Sequence, residues 1–217
     1  MIEDITSLPP ARRDALSDAI TEWDAAYVVL DLKSGIDPHV IDFLPFSNSG
    51  ILIFTPHLTA ATLAASQVVK AMLFRKLRVL FAADSDVYAS LPGMTAREAN
   101  ALIDRAEDAY HPENTNLDGF LEVLTARVGD HPLTKLVAHT IQFFRVHFVL
   151  NMFSGVQSSY QTAVKPFSEN LHQKVSGRLS ILNLGWVIAH EDINQANARR
   201  VPVLLRKERV RHTPEAE

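Results

Sequence analysis

Four apolar, β-branched runs along the chain constrain its fold more than any other feature. They occupy residues 26–32, 50–55, 146–153 and 179–188. The first run is nearly continuous, which is typical of strands buried on both faces of a parallel sheet. Helical patterns separate the runs, and a strand–helix–strand order implies right-handed parallel units. The sequence therefore predicts an α/β fold with a mostly parallel sheet.

Apolar residues at helical spacing predict the helices of this fold. One helix covers 8–23 and begins at two prolines, and a short one lies near 38–44. A long helix starts at Thr59, which is predicted to cap it, while residues 77–82 fit either its continuation or a short strand. Its predicted core side chains are Leu63, Val69, Met72, Leu73 and Leu77. A short helix at 190–199 follows the last strand.

A further helix is predicted at 156–175, after the strand at 146–153. Its spacing places one apolar face toward the core. The residues of that face are Val156, Tyr160, Val164, Phe167, Leu171 and Val175.

The middle of the chain, about 84–144, has a different pattern. It predicts three helices separated by proline-, glycine- and asparagine-containing stretches. We interpret it as a helical insertion in a single domain that spans residues 1–217. Beyond about residue 206 the basic tail is predicted to be disordered, and contact of this tail with a membrane or nucleic acid is the less favoured alternative.

Composition indicates an ordinary globular protein, with 47% hydrophobic and 21% charged residues. The net charge of −4 argues against nucleic-acid binding dominated by phosphate neutralisation. The absence of cysteine excludes disulfides and thiolate metal sites. No signal-like or membrane-spanning apolar run is present, so the sequence predicts a cytoplasmic protein.

Three polar or flexible positions lie at or just after the carboxyl ends of predicted strands, where open α/β sheets bind ligands. Asp31 is suited to the hydration shell of Mg²⁺, and Gly35 lets a backbone N–H approach a phosphate. Asn151 can read an adenine edge through its amide. Each also has a plain structural interpretation, as a turn or strand-end residue.

Other kinds of site find no support in the sequence. The chain has no zinc-protease histidine pair, no Gly-x-Ser-x-Gly nucleophile motif and no convincing nucleophile–histidine–aspartate set. His190, Glu191 and Asp192 lie at a predicted helix start, where acidic residues more often interact with the helix dipole than with a metal.

The order of these motifs resembles the MinD/ParA-type P-loop ATPases, closest to the flagellar-number-regulator branch. The resemblance runs from about residue 10 to 205. It rests on the approach to a switch in "EWDAAYVVLDLKSG", the strand end "ILIFTPHLTAATLAA", the asparagine-ending strand "HFVLNMF" and the closing "LGWVIAHEDINQANARRVPVLL". It implies a Rossmann-like P-loop NTPase sheet and a nucleotide site for ATP and Mg²⁺.

The resemblance assigns roles to individual residues. Asp31 corresponds to the switch aspartate near Mg²⁺ and Gly35 to the glycine near the γ-phosphate, as the catalytic pair. Asn151 corresponds to the adenine contact, and Ala189 and His190 belong to the loop over the base, with Ala189 in place of a proline. Lys33 replaces a small switch residue and is either a phosphate-facing cation or a solvent-facing loop residue.

The phosphate-binding loop of this family is missing from the sequence. None of the eight glycines forms a G-x-x-x-x-G-K-[ST] motif, whose backbone N–H groups and lysine would hold the phosphates. Its absence also removes a central strand, so the sheet is expected to be incomplete at its N-terminal side and to expose an edge.

Two functions are favoured, and an unrelated α/β enzyme with an unrecognised pocket is a third, lesser alternative. The first is the C-terminal portion of an ATPase for spatial regulation of the flagellar or cell-division type, inactive alone. The second is a degenerate, non-catalytic interaction module that pairs with an intact ATPase. A homodimer or an intact paralogue is the expected partner, and enzymatic activity is left undecided.

Overall fold

The fold is a parallel α/β arrangement centred on three strands. The structure is a computed structural model that describes residues 9–41, 43, 48–82, 85, 96–107 and 116–202. Within these residues the strands are β1 (Asn48–Phe54), β2 (Arg145–Phe153) and β3 (Ser180–Ile188), in the order β1-β2-β3 with both pairings parallel. The predicted strands at 50–55, 146–153 and 179–188 are therefore confirmed.

Helices connect and cover these strands. In chain order they are α1 (Pro10–Thr21), α2 (Pro38–Ile41), α3 (Thr59–Leu80), α4 (Ala96–Glu107), α5 (Leu117–Val128), α6 (Pro132–Gln142), α7 (Val156–Ser159), a π-helical turn (Tyr160–Val164), α8 (Lys165–Lys174) and α9 (Glu191–Ala198). The three helices predicted for the middle of the chain are confirmed as α4, α5 and α6. The predicted tail beyond 206 lies outside the described residues.

Helices α3 and α8 cover one face of the sheet and form the core with it. At its centre Phe54 of β1, Phe148 of β2 and Phe167 of α8 form a ring cluster, with centroids 5.0 to 5.6 Å apart. All three side chains are buried. Such aromatic clusters add about 0.5–1.5 kcal/mol per pair beyond the area they bury.

The middle helices belong to the same core. Ile103 of α4, Leu124 of α5 and Val137 of α6 are fully buried in one hydrophobic cluster with the strands. Arg78 of α3 also forms ion pairs with Asp104 and Glu107 of α4. Partial burial lowers the pKa of Arg78, but the hydrogen bonds and charges of Glu107 and Asp104 outweigh this effect and raise that pKa.

The predicted strand at 26–32 is wrong. This run has no regular secondary structure, and Tyr27 and Val29 are 90% and 89% exposed. A strand requires a hydrogen-bonded neighbour, and none of the described strands pairs with this run. Asp31 therefore does not lie at the end of a strand in the described sheet.

Some predictions about side chains and caps also change. The helix beginning at 59 continues to Leu80, which settles the open assignment of 77–82, but Leu63 is exposed and Thr59 is its first residue rather than its cap. On the later helix Phe167, Leu171 and Val175 are buried, whereas Val156 and Tyr160 are exposed. The π-helical turn explains this, because its wider turn rotates the preceding residues off the buried face.

The second face of the sheet is open in the described residues. Ile51 and Ile53 of β1 are 61% and 66% exposed, and Leu182 and Val187 of β3 are exposed as well. The register places Ile53 beside Val149 of β2 on this face. We call it the open face. Parallel sheets are almost always covered on both faces, so an apolar open face indicates that a further layer belongs here.

A polar latch joins α5 to the turn that precedes β3. Asp118 accepts hydrogen bonds from the Ser176 hydroxyl at 2.7 Å and the Gly177 N–H at 2.8 Å, and it pairs with Arg178 at 3.2 Å. Ser176 is fully buried. The latch therefore fixes the turn from which β3 begins.

We expect Asp118→Ala to lower the free energy of unfolding by about 1–3 kcal/mol, because it leaves the buried Ser176 hydroxyl without this acceptor. Asp130→Ala is the control, since the ion pair of Asp130 with Lys135 is exposed and worth less than about 1 kcal/mol. Urea denaturation of both variants measures the difference. Equal losses would show that the latch contributes nothing beyond a surface ion pair.

Candidate functional site at the carboxyl edge of the sheet

The carboxyl ends of the three parallel strands lie at one edge of the sheet. β1 ends at Phe54 beside Leu150, and Phe153 of β2 lies beside Ile188 of β3. Ligands of open α/β sheets bind at this edge, because the loops that follow the strands converge there. The candidate site is therefore built from the loops after β1, β2 and β3.

The sheet places Asn151 close to the loop that contains Ala189 and His190. Asn151 is half-buried near the end of β2 and lies opposite Val187, two residues before Ala189. The Ala189 N–H donates to the Phe153 carbonyl at 3.1 Å, which ties the loop to the end of β2. Three residues predicted for the base side of a nucleotide site thus lie on adjoining segments.

The polar atoms of these residues also have local partners. The Asn151 Oδ1 accepts from the Met152 N–H at 3.0 Å, so its amide nitrogen is the group it can offer to a ligand. The His190 Nδ1 accepts from the Asp192 N–H at 3.2 Å at the start of α9. The acidic residues Glu191 and Asp192 lie in the first turn of this helix, where the sequence analysis places them.

His57 joins the loop after β1 to the end of β2. Its Nε2 lies 3.1 Å from the Met152 carbonyl and 3.3 Å from the Ser154 hydroxyl. Met152 has a φ of 59°, which is uncommon for a residue with a side chain. Such backbone conformations occur most often at functional sites. Sequence reasoning missed this contact, since only the pairing of β1 with β2 brings the two segments together.

Asp31, Lys33 and Gly35 lie on an exposed segment that is separate from the strands. Lys33 forms an ion pair with Asp37 at 2.7 Å, and Gly35 has a φ of 120°, which favours glycine. Among the described residues, no hydrogen bond or ion pair links these three residues to the loops at the carboxyl edge. The structure thus joins the predicted base-side residues to one another but not to the predicted magnesium-side residues.

The described residues do not fit a complete site for ATP and Mg²⁺. The residues predicted for the base side adjoin one another, but no group of three or more histidines, aspartates or glutamates in the described part of the chain is arranged to hold a metal. Phosphates require an anion-binding loop of backbone N–H groups, and the sequence has no such motif. Nucleotide binding through this edge therefore requires groups beyond those described.

A groove of about 530 Å³ lies elsewhere, between α5 and α6, with Glu122, Lys135 and Arg178 on its rim. Its lining residue Arg178 lies two residues before the start of β3, at the opposite end of that strand from the carboxyl edge. We do not assign the nucleotide site to it.

Comparisons with protein-family models, curated proteins and solved structures found no match to this chain. No helix of the described residues is both long and apolar enough to cross a membrane. The family resemblance therefore depends on the order of the sequence motifs.

Proposed function

We propose that this chain is the C-terminal portion of a MinD/ParA-like ATPase that acts in ATP-dependent spatial regulation and does not hydrolyse ATP alone. One observation carries the proposal: the base-side residues Asn151, Ala189 and His190 adjoin at the carboxyl edge of a parallel sheet. This edge is where the fold binds nucleotides.

The incomplete sheet supports the same proposal. The family resemblance implies that a central strand is missing together with the phosphate loop. In the described sheet β1 has a neighbour on one side only, and the strand-like run at 26–32 has none. Every open sheet has edge strands, so the unpaired run at 26–32 is the feature that supports the absence of a strand. The role of Asp31 near Mg²⁺ then depends on a strand that brings its segment to the sheet.

The test adds a strand and a phosphate-binding loop of the family type to the chain. A segment with a strand and a Gly-Lys-Gly-Gly-x-Gly-Lys-Thr-type loop is fused upstream of residue 1, and ATP hydrolysis is measured with and without the fusion. We expect millimolar or weaker affinity for ATP with Mg²⁺ and no hydrolysis from the chain alone, and measurable hydrolysis from the fusion. Asp31→Ala should abolish hydrolysis by the fusion and leave the unfused chain unchanged.

Asp24→Ala is the matched control, because Asp24 lies on the same exposed segment, before the apolar run. Hydrolysis that survives Asp31→Ala, or that is lost equally in both variants, would contradict the assigned role of Asp31. Circular dichroism of each fusion verifies that it is folded.

The open face favours a second candidate, a non-catalytic interaction module that pairs with an intact ATPase. Its exposed apolar side chains, such as Ile51 and Ile53, are typical of a protein-binding surface. A fusion that folds and binds no ATP would favour this candidate.

A further inference from the structure

Two parts of the chain that are suited to strand pairing have no strand partner among the residues that the structure describes. The run Tyr27–Leu32 is one, and the outer edge of β1 is the other. The exposed fractions of Tyr27, Val28, Val29 and Leu30 are 90%, 37%, 89% and 41%. This alternation with period two is typical of an extended segment with one face more covered than the other.

Beyond the bulge between Asn48 and Ile51, the outer edge of β1 lacks the charged residues and prolines that commonly protect an edge strand. Its sequence, Asn-Ser-Gly-Ile-Leu-Ile-Phe, has no charged residue and no proline. Ile51 and Ile53 are exposed beside this edge. From Ile51 onward the outer edge of β1 has no strand partner among the described residues, and with its exposed β-branched side chains it forms a template for another strand.

We propose that two copies of this chain exchange the segment Tyr27–Leu32, which pairs in each case with the outer edge of β1 of the other copy. The segment has the composition that such an edge accepts, since five of its six residues are apolar or aromatic. Within a single copy the segment Tyr27–Leu32 does not cover the outer edge of β1, because Val29 and Ile53 are both exposed.

Reciprocal exchange gives a closed, two-fold symmetric dimer with two identical contacts. Each contact covers Tyr27 and Val29 of one copy and Ile51 and Ile53 of the other. Specific protein interfaces bury about 1,200–2,000 Å² in total, so the dimer requires both contacts together. A dimer of this kind would form whether or not the chain binds a nucleotide, so its failure leaves the proposed ATPase role untouched.

Light scattering at high micromolar protein concentration tests the dimer first. We expect a dimer mass, and we expect Val29→Pro to raise the dissociation constant about tenfold or more, because proline removes a backbone donor from the paired segment. Val29 is exposed in the monomer, so Val29→Pro should leave the circular dichroism spectrum of the monomer unaltered. A monomer mass, a series of larger oligomers, or a dimer that Val29→Pro does not weaken would overturn the proposal.

Disulfide cross-linking then identifies the paired surfaces. The chain has no native cysteine, so a disulfide can form only between the introduced cysteines. Val29→Cys is mixed with Ile53→Cys or with Ile51→Cys, so that a disulfide between the two positions can form only between copies. Paired strands bring Cα atoms within disulfide reach. Val156→Cys, exposed on α7, replaces the β1 cysteine as control. Cross-linking to β1 above the control supports the exchange, and equal yields overturn it.

Discussion

Phe148→Ala is expected to cost about 3–5 kcal/mol of unfolding free energy, which is a large part of the roughly 5–15 kcal/mol that stabilises an ordinary domain. Phe148 is 1% exposed, and its ring lies 5.6 Å from that of Phe54 and 5.4 Å from that of Phe167. Its removal leaves a cavity where the sheet meets α8 and breaks two aromatic contacts. Urea denaturation followed by circular dichroism measures the loss.

Ile53→Ala is the control for this experiment, because Ile53 lies on the neighbouring strand but on the open face. We expect it to change the free energy of unfolding by less than about 0.5 kcal/mol at protein concentrations where the chain is monomeric. A loss comparable to that of Phe148→Ala would mean that the open face is covered within a single copy. The pair of variants therefore tests which face of the sheet holds the core.

The strand predictions are correct where the predicted strand has a neighbour in the described sheet. The runs at 50–55, 146–153 and 179–188 become β1, β2 and β3, whereas 26–32 has the same composition and forms no strand. Strand propensity is a local property, but strand formation depends on pairing with residues far along the chain. The family resemblance, with its missing central strand, offers one reason why this run has no partner.

Part of the candidate site can also be predicted from local sequence, and part depends on contacts between segments that are distant in the chain. The closeness of Asn151 to the loop with Ala189 follows from parallel strand ends, which the sequence predicts. The contact of His57 with Met152 depends on the register of β1 and β2 and has no sequence motif. The roles of Asp31, Gly35 and Lys33 come from the resemblance and remain predictions.

Lys76 is a further residue that sequence reasoning did not single out. It lies on α3 with its side chain buried, and its Nζ is 4.5 Å from the centroid of the Phe144 ring. Helical spacing alone does not reveal it, because a lysine in a helix is normally on the solvent face. Burial lowers the pKa of Lys76 to about 8 from its ordinary value of 10.5.

We expect Lys76 to make the protein more stable as the pH rises from about 8 to 10.5. In this window the unfolded chain binds more protons at Lys76 than the folded chain does, so the free energy of unfolding increases with pH. Below pH 8 both states are protonated, and above 10.5 both are neutral, so the contribution is constant outside the window. The difference between the two pKa values corresponds to a gain of about 3 kcal/mol at most.

Lys76→Met isolates this effect from the other groups that titrate at alkaline pH. Methionine has similar length and no charge, so the variant should gain stability relative to the natural chain at pH 7 and lose that advantage, by up to about 3 kcal/mol, toward pH 10. Urea denaturation at each pH gives the difference between the two proteins. Lys174→Met, at an exposed position at the end of α8, corrects for the loss of one lysine from the chain. A difference between Lys76→Met and the natural chain that is the same at pH 7 and pH 10 would show that the Lys76 ammonium keeps its solvation in the folded state.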